Sequence, residues 1–144
     1  MEKTTGYASI DRPSYKYYSE DIDLKILEDT DMKMYDFMKK KNKGHEEDVI
    51  YSYFGQNRTL RTLDKKVEET AKALKKYGLN EGDKITICLS NMPEFMTYLY
   101  ACNRIGVTVY PVDPRCSAKR IIDCMTISNS KLLVSLFLDK TPIS

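Results

Sequence analysis

The spacing of apolar and polar residues predicts a strand, a helix and a second strand between Gly82 and Pro114. The run from Ile85 to Leu89 is short, apolar and rich in β-branched residues, which is typical of a strand buried on both faces. A second strand is predicted from Val107 to Val112. Because one helix joins these two strands within so few residues, they must run parallel with a right-handed crossover.

The helix between these strands carries start and stop signals. It is predicted to begin near Pro93, where a missing N–H does no harm, with Asn91 as its capping residue and Glu94 as the residue that answers the cap. Gly106 is predicted to end it, because glycine readily takes the left-handed conformation that follows many helices. Apolar residues occur almost all round this helix, so we expect it to be covered on most sides.

The chain before this unit divides into an arm, a short helix, a hairpin and a long helix. Residues 1–29 keep no regular period but are rich in tyrosine, which predicts an arm packed along a surface. An apolar stripe from Met34 to Met38 predicts a short helix that ends in three lysines. Gly55-Gln56 lies between two short runs and predicts a β-hairpin. A helix capped by Thr59 and ended by Gly78 is predicted to bury Leu60, Leu63, Val67, Ala71 and Leu74.

Downstream of the unit, Ser117 is predicted to cap a third helix, and residues 131–137 are predicted to form a third parallel strand. The third helix is predicted to bury one side, formed by Ala118, Ile121, Ile122 and Met125. The order strand, helix, strand, helix, strand predicts an α/β fold. We expect a three-layer, parallel-sheet subdomain preceded by the irregular arm, the short helix and the hairpin.

Composition and charge restrict the possible functions. The 144 residues suit one domain, and the net charge of +2 is too small to demand a polyanionic partner. The run from Lys39 to Lys43 could contact nucleic acid, but a solvated helix end explains it, so no nucleic-acid partner is predicted. No apolar run approaches a membrane-spanning length and no signal-peptide core is present, which predicts a cytoplasmic protein without membrane association. The four cysteines lack Cys-x-x-Cys spacing and are predicted to be buried free thiols.

Several short segments follow one another in the order and spacing of one enzyme family: Tyr53-Phe54-Gly55, Arg58-Thr59-Leu60, Tyr77-Gly78-Leu79, Gly82-Asp83, Pro93-Glu94-Phe95, Arg104-Ile105-Gly106 and Val109 to Arg115. In these segments the chain resembles the N-terminal part of the acyl-adenylate-forming enzymes. This family contains acyl-CoA synthetases, amino-acid-activating adenylation domains and luciferases. The arm, at Gly6-Tyr7 and Ile10 to Pro13, resembles the leader of acyl-CoA synthetases in particular.

The resemblance implies a parent enzyme that activates a carboxylic acid with ATP and Mg²⁺ and passes the acyl group to a thiol, in particular CoA. The family's Ser/Thr/Gly-rich phosphate loop and catalytic lysine are absent from the sequence, which stops at Ser144. We therefore expect a piece of such a ligase that is inactive alone and has no catalytic residue, metal site or cofactor of its own. On this interpretation residues 1–48 are the arm and short helix, and residues 49–144 are the incomplete N-terminal portion of an AMP-binding domain.

The alternative to a ligase piece is a non-catalytic α/β interaction or binding module that kept the scaffold and lost the chemistry. In both cases the sheet edge at Leu132-Leu133-Val134 would be open, and an open edge is a template for pairing with another strand. We therefore expect self-association, with a symmetric dimer as the closed form, or pairing with a complementary downstream chain.

Arg115 is the single candidate for a cofactor-binding residue. It follows Asp113-Pro114, just beyond a predicted parallel strand, where ligands of open α/β sheets bind, and it could meet a carboxylate or a CoA phosphate. The alternative is a rigid turn in which Arg115 pairs with a nearby acid. Glu94 is interpreted as the partner of a helix cap and His45 as a surface residue, and neither as a catalytic group. The tyrosines are interpreted as core residues at positions 98, 100 and 110.

Overall fold

The computed structural model describes residues 5–19 and 32–136, and the chain divides into two compact units between Met32 and Lys33. The first unit contains the short helix α1 (Ala8–Asp11) and a 3₁₀ turn (Tyr15–Tyr17). The carboxylate of Asp11 accepts hydrogen bonds from the backbone N–H groups of Thr5 and Gly6, at 2.9 and 2.8 Å, which lower its pKa. The predicted packing of the arm along a surface stays a prediction.

The second unit holds the predicted α/β arrangement. Its elements are α2 (Met34–Lys41), β1 (Val49–Tyr53), β2 (Gln56–Thr59), α3 (Leu60–Lys76), β3 (Lys84–Cys88), α4 (Pro93–Ile105), β4 (Thr108–Pro111), α5 (Ala118–Ser128) and β5 (Leu132–Ser135). Strands β1 and β2 form an antiparallel hairpin, and the other three strands form a parallel sheet of order β4-β3-β5. This confirms the fold class. The predicted range of the last strand extends to Phe137, which lies outside the described residues.

The central strand β3 is buried on both faces, as predicted. Side chains alternate along a strand, so Ile85 and Ile87 lie on one face and Thr86 and Cys88 on the other. The two isoleucines are fully buried in a core shared with α3 and α4, to which those helices contribute Leu63, Val67, Ala71, Leu74, Ala101, Cys102 and Ile105. On the opposite face, Thr86 donates a hydrogen bond of 2.9 Å to the hydroxyl of Ser130, beside α5.

Three predicted helix signals are confirmed by hydrogen bonds and backbone angles. The hydroxyl of Thr59 accepts the N–H of Thr62 at 3.3 Å at the start of α3, and all five apolar positions predicted for that helix are buried. The hydroxyl of Ser117 caps α5 in the same way, at 3.3 Å from the N–H of Arg120. Gly106 ends α4 with a left-handed φ of 77°.

The predicted cap of α4 is wrong by one residue. The helix begins at Pro93 as expected, but its capping position is Met92, and no side-chain hydrogen bond caps it. A residue before proline is held in an extended conformation, which makes Met92 the last non-helical residue. Asn91 therefore lies one position too early for its side chain to cap the first turn, and Glu94 is exposed without a cap to answer.

The hairpin turn is also displaced by one residue from its predicted position. Phe54 and Gly55 occupy the turn with φ values of 47° and 74°, while Gln56 already pairs with Tyr53. Two positive φ angles are the signature of the turn that best matches the twist of a hairpin, and glycine accepts this conformation without strain. The prediction placed the turn at Gly55-Gln56.

Helix α5 buries a narrower stripe than predicted. Ile121 is buried as expected, and Met125 is partly covered. Ala118 is exposed and Ile122 keeps 44% of its surface exposed, while Ser128 is buried in their place. The helix is thus rotated so that residues 121, 125 and 128, spaced at three to four residues, meet the sheet.

All four cysteines are free thiols, as predicted, but only two are fully buried. Burial raises the pKa of Cys88, and it raises the pKa of Cys102 to about 12. Cys116 and Cys124 are partly exposed, because they lie in the turn after β4 and on the flank of α5. The prediction of burial is therefore wrong for these two.

Helix α2 is fixed to the core by Tyr35, a role that the sequence pattern did not single out. Tyr35 is fully buried, its backbone N–H donates to Oδ1 of Asn103 at 2.9 Å, and its hydroxyl donates to Asp64 of α3. Lys39 also pairs with Asp64, at 2.9 Å. Burial acts to raise the pKa of Asp64, but the hydrogen bonds from Tyr35 and Lys39 outweigh it and the pKa is lowered.

Among the described residues, no other strand pairs with the outer edge of β5, where Leu132 and Val134 are partly buried. Association through this edge stays a prediction. The division predicted between residues 48 and 49 also stays a prediction. Within the described residues, no helix has the length and apolar character needed to cross a membrane.

Candidate functional site

A cleft lies at the carboxyl ends of β3 and β4. The parallel ladder continues one step past β4, where the N–H of Val112 donates to the carbonyl of Ile87 at 2.9 Å, and this bond holds the following turn close to the loop after β3. The cleft has a volume of about 470 Å³ and is lined by Leu89, Ser90, Asn91, Phe95, Pro111, Val112, Asp113, Pro114 and Arg115. The ends of parallel strands are where open α/β sheets bind ligands.

The turn that carries Arg115 is held by its own backbone and side chains. The N–H of Cys116 donates to the carbonyl of Asp113 at 3.0 Å, which closes a four-residue turn with Pro114 at its second position. The N–H of Arg115 also donates to Oδ1 of Asp113, at 2.9 Å. Proline fixes its own φ, and the side chain of Asp113 holds the backbone N–H of Arg115. The backbone of Arg115 therefore has little conformational freedom.

The side chain of Arg115 folds back onto Asp113. Its Nε donates to Oδ1 at 3.0 Å and its Nη2 to Oδ2 at 2.7 Å, so one edge of the guanidinium grips the carboxylate. The side-chain hydrogen bonds from Arg115 lower the pKa of Asp113 to about 2, and the same pairing raises the pKa of Arg115. The arginine side chain is 88% exposed, so solvent and ions reach it freely.

This geometry matches the turn in which Arg115 pairs with a nearby acid, and its role as a cofactor-binding residue stays a prediction. Asp113 engages Nε and one N–H of Nη2, so the outer edge of the guanidinium, formed by Nη1 and the rest of Nη2, is not used by the carboxylate. Arg115 can therefore contact an anion at the mouth of the cleft without leaving its turn.

The start of α4 forms the wall of the cleft opposite the turn. Ser90 and Asn91 are exposed, and no side chain caps the first turn of the helix. The amino end of a helix carries partial positive charge on its unpaired N–H groups. Here Pro93 has no N–H, the N–H of Phe95 donates to the carbonyl of Met92 at 3.0 Å, and Glu94 adds a carboxylate to the first turn, so Arg115 is the feature of the cleft that favours an anion. The sequence could not show that the helix start is uncapped, because Asn91 looked like its cap.

A second, more apolar cleft of about 300 Å³ lies between the hairpin and α4, and it shares Phe95 and Asn91 with the first. Tyr51 lines it, and the hydroxyl of Tyr51 is buried without a hydrogen-bond partner among the described residues. Burial raises the pKa of this tyrosine. The described residues that line this cleft include no acid, base or nucleophile paired for chemistry.

The other candidate residues lie away from the cleft. His45 lies in an exposed loop with its Nδ1 2.8 Å from Oδ2 of Asp48, as expected of a surface residue. Tyr98 and Tyr100 pack against the core as predicted, whereas Tyr110 is 37% exposed because it lies on β4 at the edge of the sheet. In the part of the chain that the structure describes, no group of three His, Cys, Asp or Glu side chains could hold a metal ion.

Comparison with known proteins identifies the family. The model of the family described as "AMP-binding enzyme" matches residues 38–142, which is more than half of the chain. The chain belongs to the AMP-binding enzyme family. This confirms the resemblance to the acyl-adenylate-forming enzymes.

Relatives and solved structures agree with this membership. Acetyl-coenzyme A synthetases of Brucella anthropi and Brucella canis are each 35% identical over 92 residues, covering 58% of this chain and 14% of theirs. The N-terminal subdomain of Klebsiella oxytoca NpsA in complex with 3-hydroxyanthranilyl-AMSN superposes with a TM-score of 0.69 at 20% identity, over 73% of this chain and 27% of that one. A double mutant of o-succinylbenzoate CoA synthetase from Bacillus subtilis superposes with a TM-score of 0.62 at 22% identity, over 65% of this chain and 20% of that one.

The two structural likenesses establish the fold alone. The chain spans about one seventh of the length of the acetyl-coenzyme A synthetases that it matches. The structure therefore shows a part of the AMP-binding scaffold.

Proposed function

We propose that this chain is the N-terminal part of an AMP-forming acid–thiol ligase of the acyl-CoA synthetase type. The observation that carries the proposal is the 35% identity to acetyl-coenzyme A synthetases over 92 residues, together with the match of the family model to residues 38–142. Such a ligase uses ATP and Mg²⁺ to convert a carboxylic acid to an acyl-adenylate and then transfers the acyl group to CoA. The proposal includes a cytoplasmic location, where ATP and CoA are available.

The residues in this chain serve two purposes in that reaction. The sheet and its helices form the scaffold on which the nucleotide-binding parts of the domain would assemble, and the cleft at the ends of β3 and β4 offers contacts to an anion. Arg115 would hold a phosphate group of CoA with the outer edge of its guanidinium, which matches phosphate oxygens in a bidentate way. The sequence contains no Gly-x-x-x-x-Gly-Lys run or Gly-x-Gly pair, so no residue here is assigned to the triphosphate of ATP.

We expect the polypeptide of residues 1–144 to show no ATP–pyrophosphate exchange with any of a panel of short and long carboxylic acids. The product of the whole reading frame that contains these residues should catalyse this exchange. The reason is that adenylate formation depends on charge-stabilising groups around the phosphates, and the family's phosphate loop and lysine are absent from this sequence. The measurement is incorporation of labelled pyrophosphate into ATP.

Two results would contradict this proposal. Exchange above background with the purified 144-residue chain would show that the scaffold alone is catalytic. A reading frame that encodes no phosphate loop, in the same chain or an adjacent one, would instead favour a non-catalytic binding module.

Arg115→Gln is expected to weaken the binding of CoA to the chain by about fivefold, which is the upper range for exposed ion pairs. Binding of dephospho-CoA, which lacks the 3′-phosphate, should change less, because the lost contact is to that phosphate. Isothermal titration calorimetry at low ionic strength measures both ligands. Arg120→Gln is the matched control, since it removes the same charge from an exposed position on α5. Equal effects of the two substitutions on CoA binding would contradict a contact between Arg115 and the ligand.

A further inference from the structure

Asp113 and a ligand phosphate would take different edges of the Arg115 guanidinium but compete for its one positive charge. The carboxylate receives the Nε and Nη2 donors of the guanidinium at 3.0 and 2.7 Å, so this bidentate edge is closed to a phosphate group and only the outer edge is left for one. Lowering of the Asp113 pKa to about 2 means that this carboxylate is ionised throughout the neutral range. Arg115 is the one cation among the described residues that line the cleft, and it is therefore paired internally before any ligand arrives.

The turn holds the two paired residues close together. The backbone N–H of Arg115 donates to the same carboxylate at 2.9 Å, and the turn closed by Cys116 keeps the two residues at a fixed separation. Pro114 lies between them and limits the backbone conformations of the turn. The turn fixes the backbones of the two residues, while the arginine side chain still loses rotamer freedom when the pair forms.

We propose that Asp113 is a specificity-determining residue that occupies one edge of the Arg115 guanidinium and weakens the binding of phosphate-bearing ligands in the cleft. This inference rests on the proposed function, because it takes the ligand to be the phosphorylated nucleotide part of CoA. In the enzyme, the ligand would dissociate more readily. The reason is that Arg115 keeps Asp113 as a partner both before and after the ligand phosphate leaves. A monoanionic or uncharged ligand would feel the carboxylate less than a dianionic phosphate monoester does.

The test separates this competition from a general effect of negative charge. Asp113→Asn keeps a side-chain oxygen that can accept the N–H of Arg115, so the turn is retained while the ion pair is lost. CoA should bind Asp113→Asn about two- to fivefold more tightly than the wild-type chain, the range over which exposed ion pairs act. Dephospho-CoA should show a smaller gain, and Asp123→Asn, an exposed carboxylate of α5, should show none.

The decisive comparison uses the double variant. If Asp113 acts through Arg115, the gain from Asp113→Asn disappears in the Arg115→Gln background, so that Arg115→Gln and Arg115→Gln/Asp113→Asn bind CoA equally. A gain of the same size in both backgrounds would overturn the inference. It would show that the negative charge of Asp113 acts on the ligand directly and not through Arg115. No gain in either background, or no binding of CoA to Asp113→Asn, would overturn it as well.

A second readout follows the guanidinium directly. In ¹⁵N NMR spectra the Nε–H signal of Arg115 should move on addition of CoA to the wild-type chain, and Asp113→Asn alone should move it in the absence of ligand. CoA binding that leaves this signal unchanged would overturn the inference. None of these results depends on adenylate formation, so the exchange assay on the product of the whole reading frame judges the proposed function separately.

Discussion

Replacing Ile87 by Asp is expected to prevent the chain from folding. Ile87 is fully buried at the centre of the sheet, with Pro111 beside it on β4 and Val134 beside it on β5. An aspartate there would be an unpaired charge in an apolar site, which costs at least about 4–5 kcal/mol. Domains of this size are stable by only about 5–15 kcal/mol. Circular dichroism with thermal and urea denaturation measures the loss.

Two further variants make this result interpretable. Ile87→Val removes one methylene group from the same position and should cost about 0.5–1.5 kcal/mol while leaving a cooperative transition. Ile122→Asp places the same charge on α5, where the side chain is 44% exposed, and should change stability by less than about 0.5 kcal/mol. A soluble Ile87→Asp chain with a sharp melting transition would mean that β3 is not the centre of the sheet.

The sequence was most informative where one physical rule decided the structure. The burial of β3 on both faces followed from a run rich in β-branched residues that does not alternate between apolar and polar. The buried face of α3 followed from five apolar residues at helical spacing. Thr59 and Ser117 were found as caps because a hydroxyl at that position has few other uses. Such signals are local and need no knowledge of the neighbouring elements.

The errors arose where two local rules competed. Asn91 is a good capping residue, but Pro93 shifts the capping position to Met92 by restricting the residue before it. At the hairpin, Gly55 was recognised as a turn residue. The turn needs two residues with positive φ angles, however, and the other one is Phe54, which precedes the glycine. Choosing between these alternatives requires the pairing register, which is a long-range property.

The candidate site divides in the same way. Its place at the end of β4 was predictable from the order of strands, and the pairing of Arg115 with an acid was one of two interpretations open from Asp113-Pro114-Arg115. The cleft itself was not predictable, because it depends on how the loop after β3 approaches the turn after β4. Tyr35 belonged to the apolar stripe that predicted α2, but its hydrogen bonds could not be predicted, since Asp64 and Asn103 are distant in sequence.

Tyr35→Ala is expected to destabilise the second unit by about 3–5 kcal/mol, the range for removing a large buried aromatic side chain. Tyr35 has no exposed surface, and its ring lies 5.7 Å from that of Tyr100 on α4. Its loss would leave a cavity between α2, α3 and α4 and remove the hydroxyl donor from Asp64. Urea denaturation followed by circular dichroism measures the change. An effect below about 1 kcal/mol, the size of an exposed tyrosine substitution such as Tyr77→Ala, would mean that α2 contributes little to the fold.

Tyr35→Phe separates the hydroxyl group from the ring. It keeps the packing and removes one hydrogen bond, so it should cost about 1–2 kcal/mol at pH 7. Burial, together with the hydrogen bond to Asp64 and its charge, raises the pKa of Tyr35 above its ordinary value near 10. A raised pKa in the folded state gives stability that is present below pH 10 and is lost as the pH rises, because the unfolded chain then releases the proton first. The difference in stability between wild type and Tyr35→Phe should therefore shrink above about pH 10, whereas a difference that stays constant to pH 11 would show that the hydroxyl is not buried against Asp64.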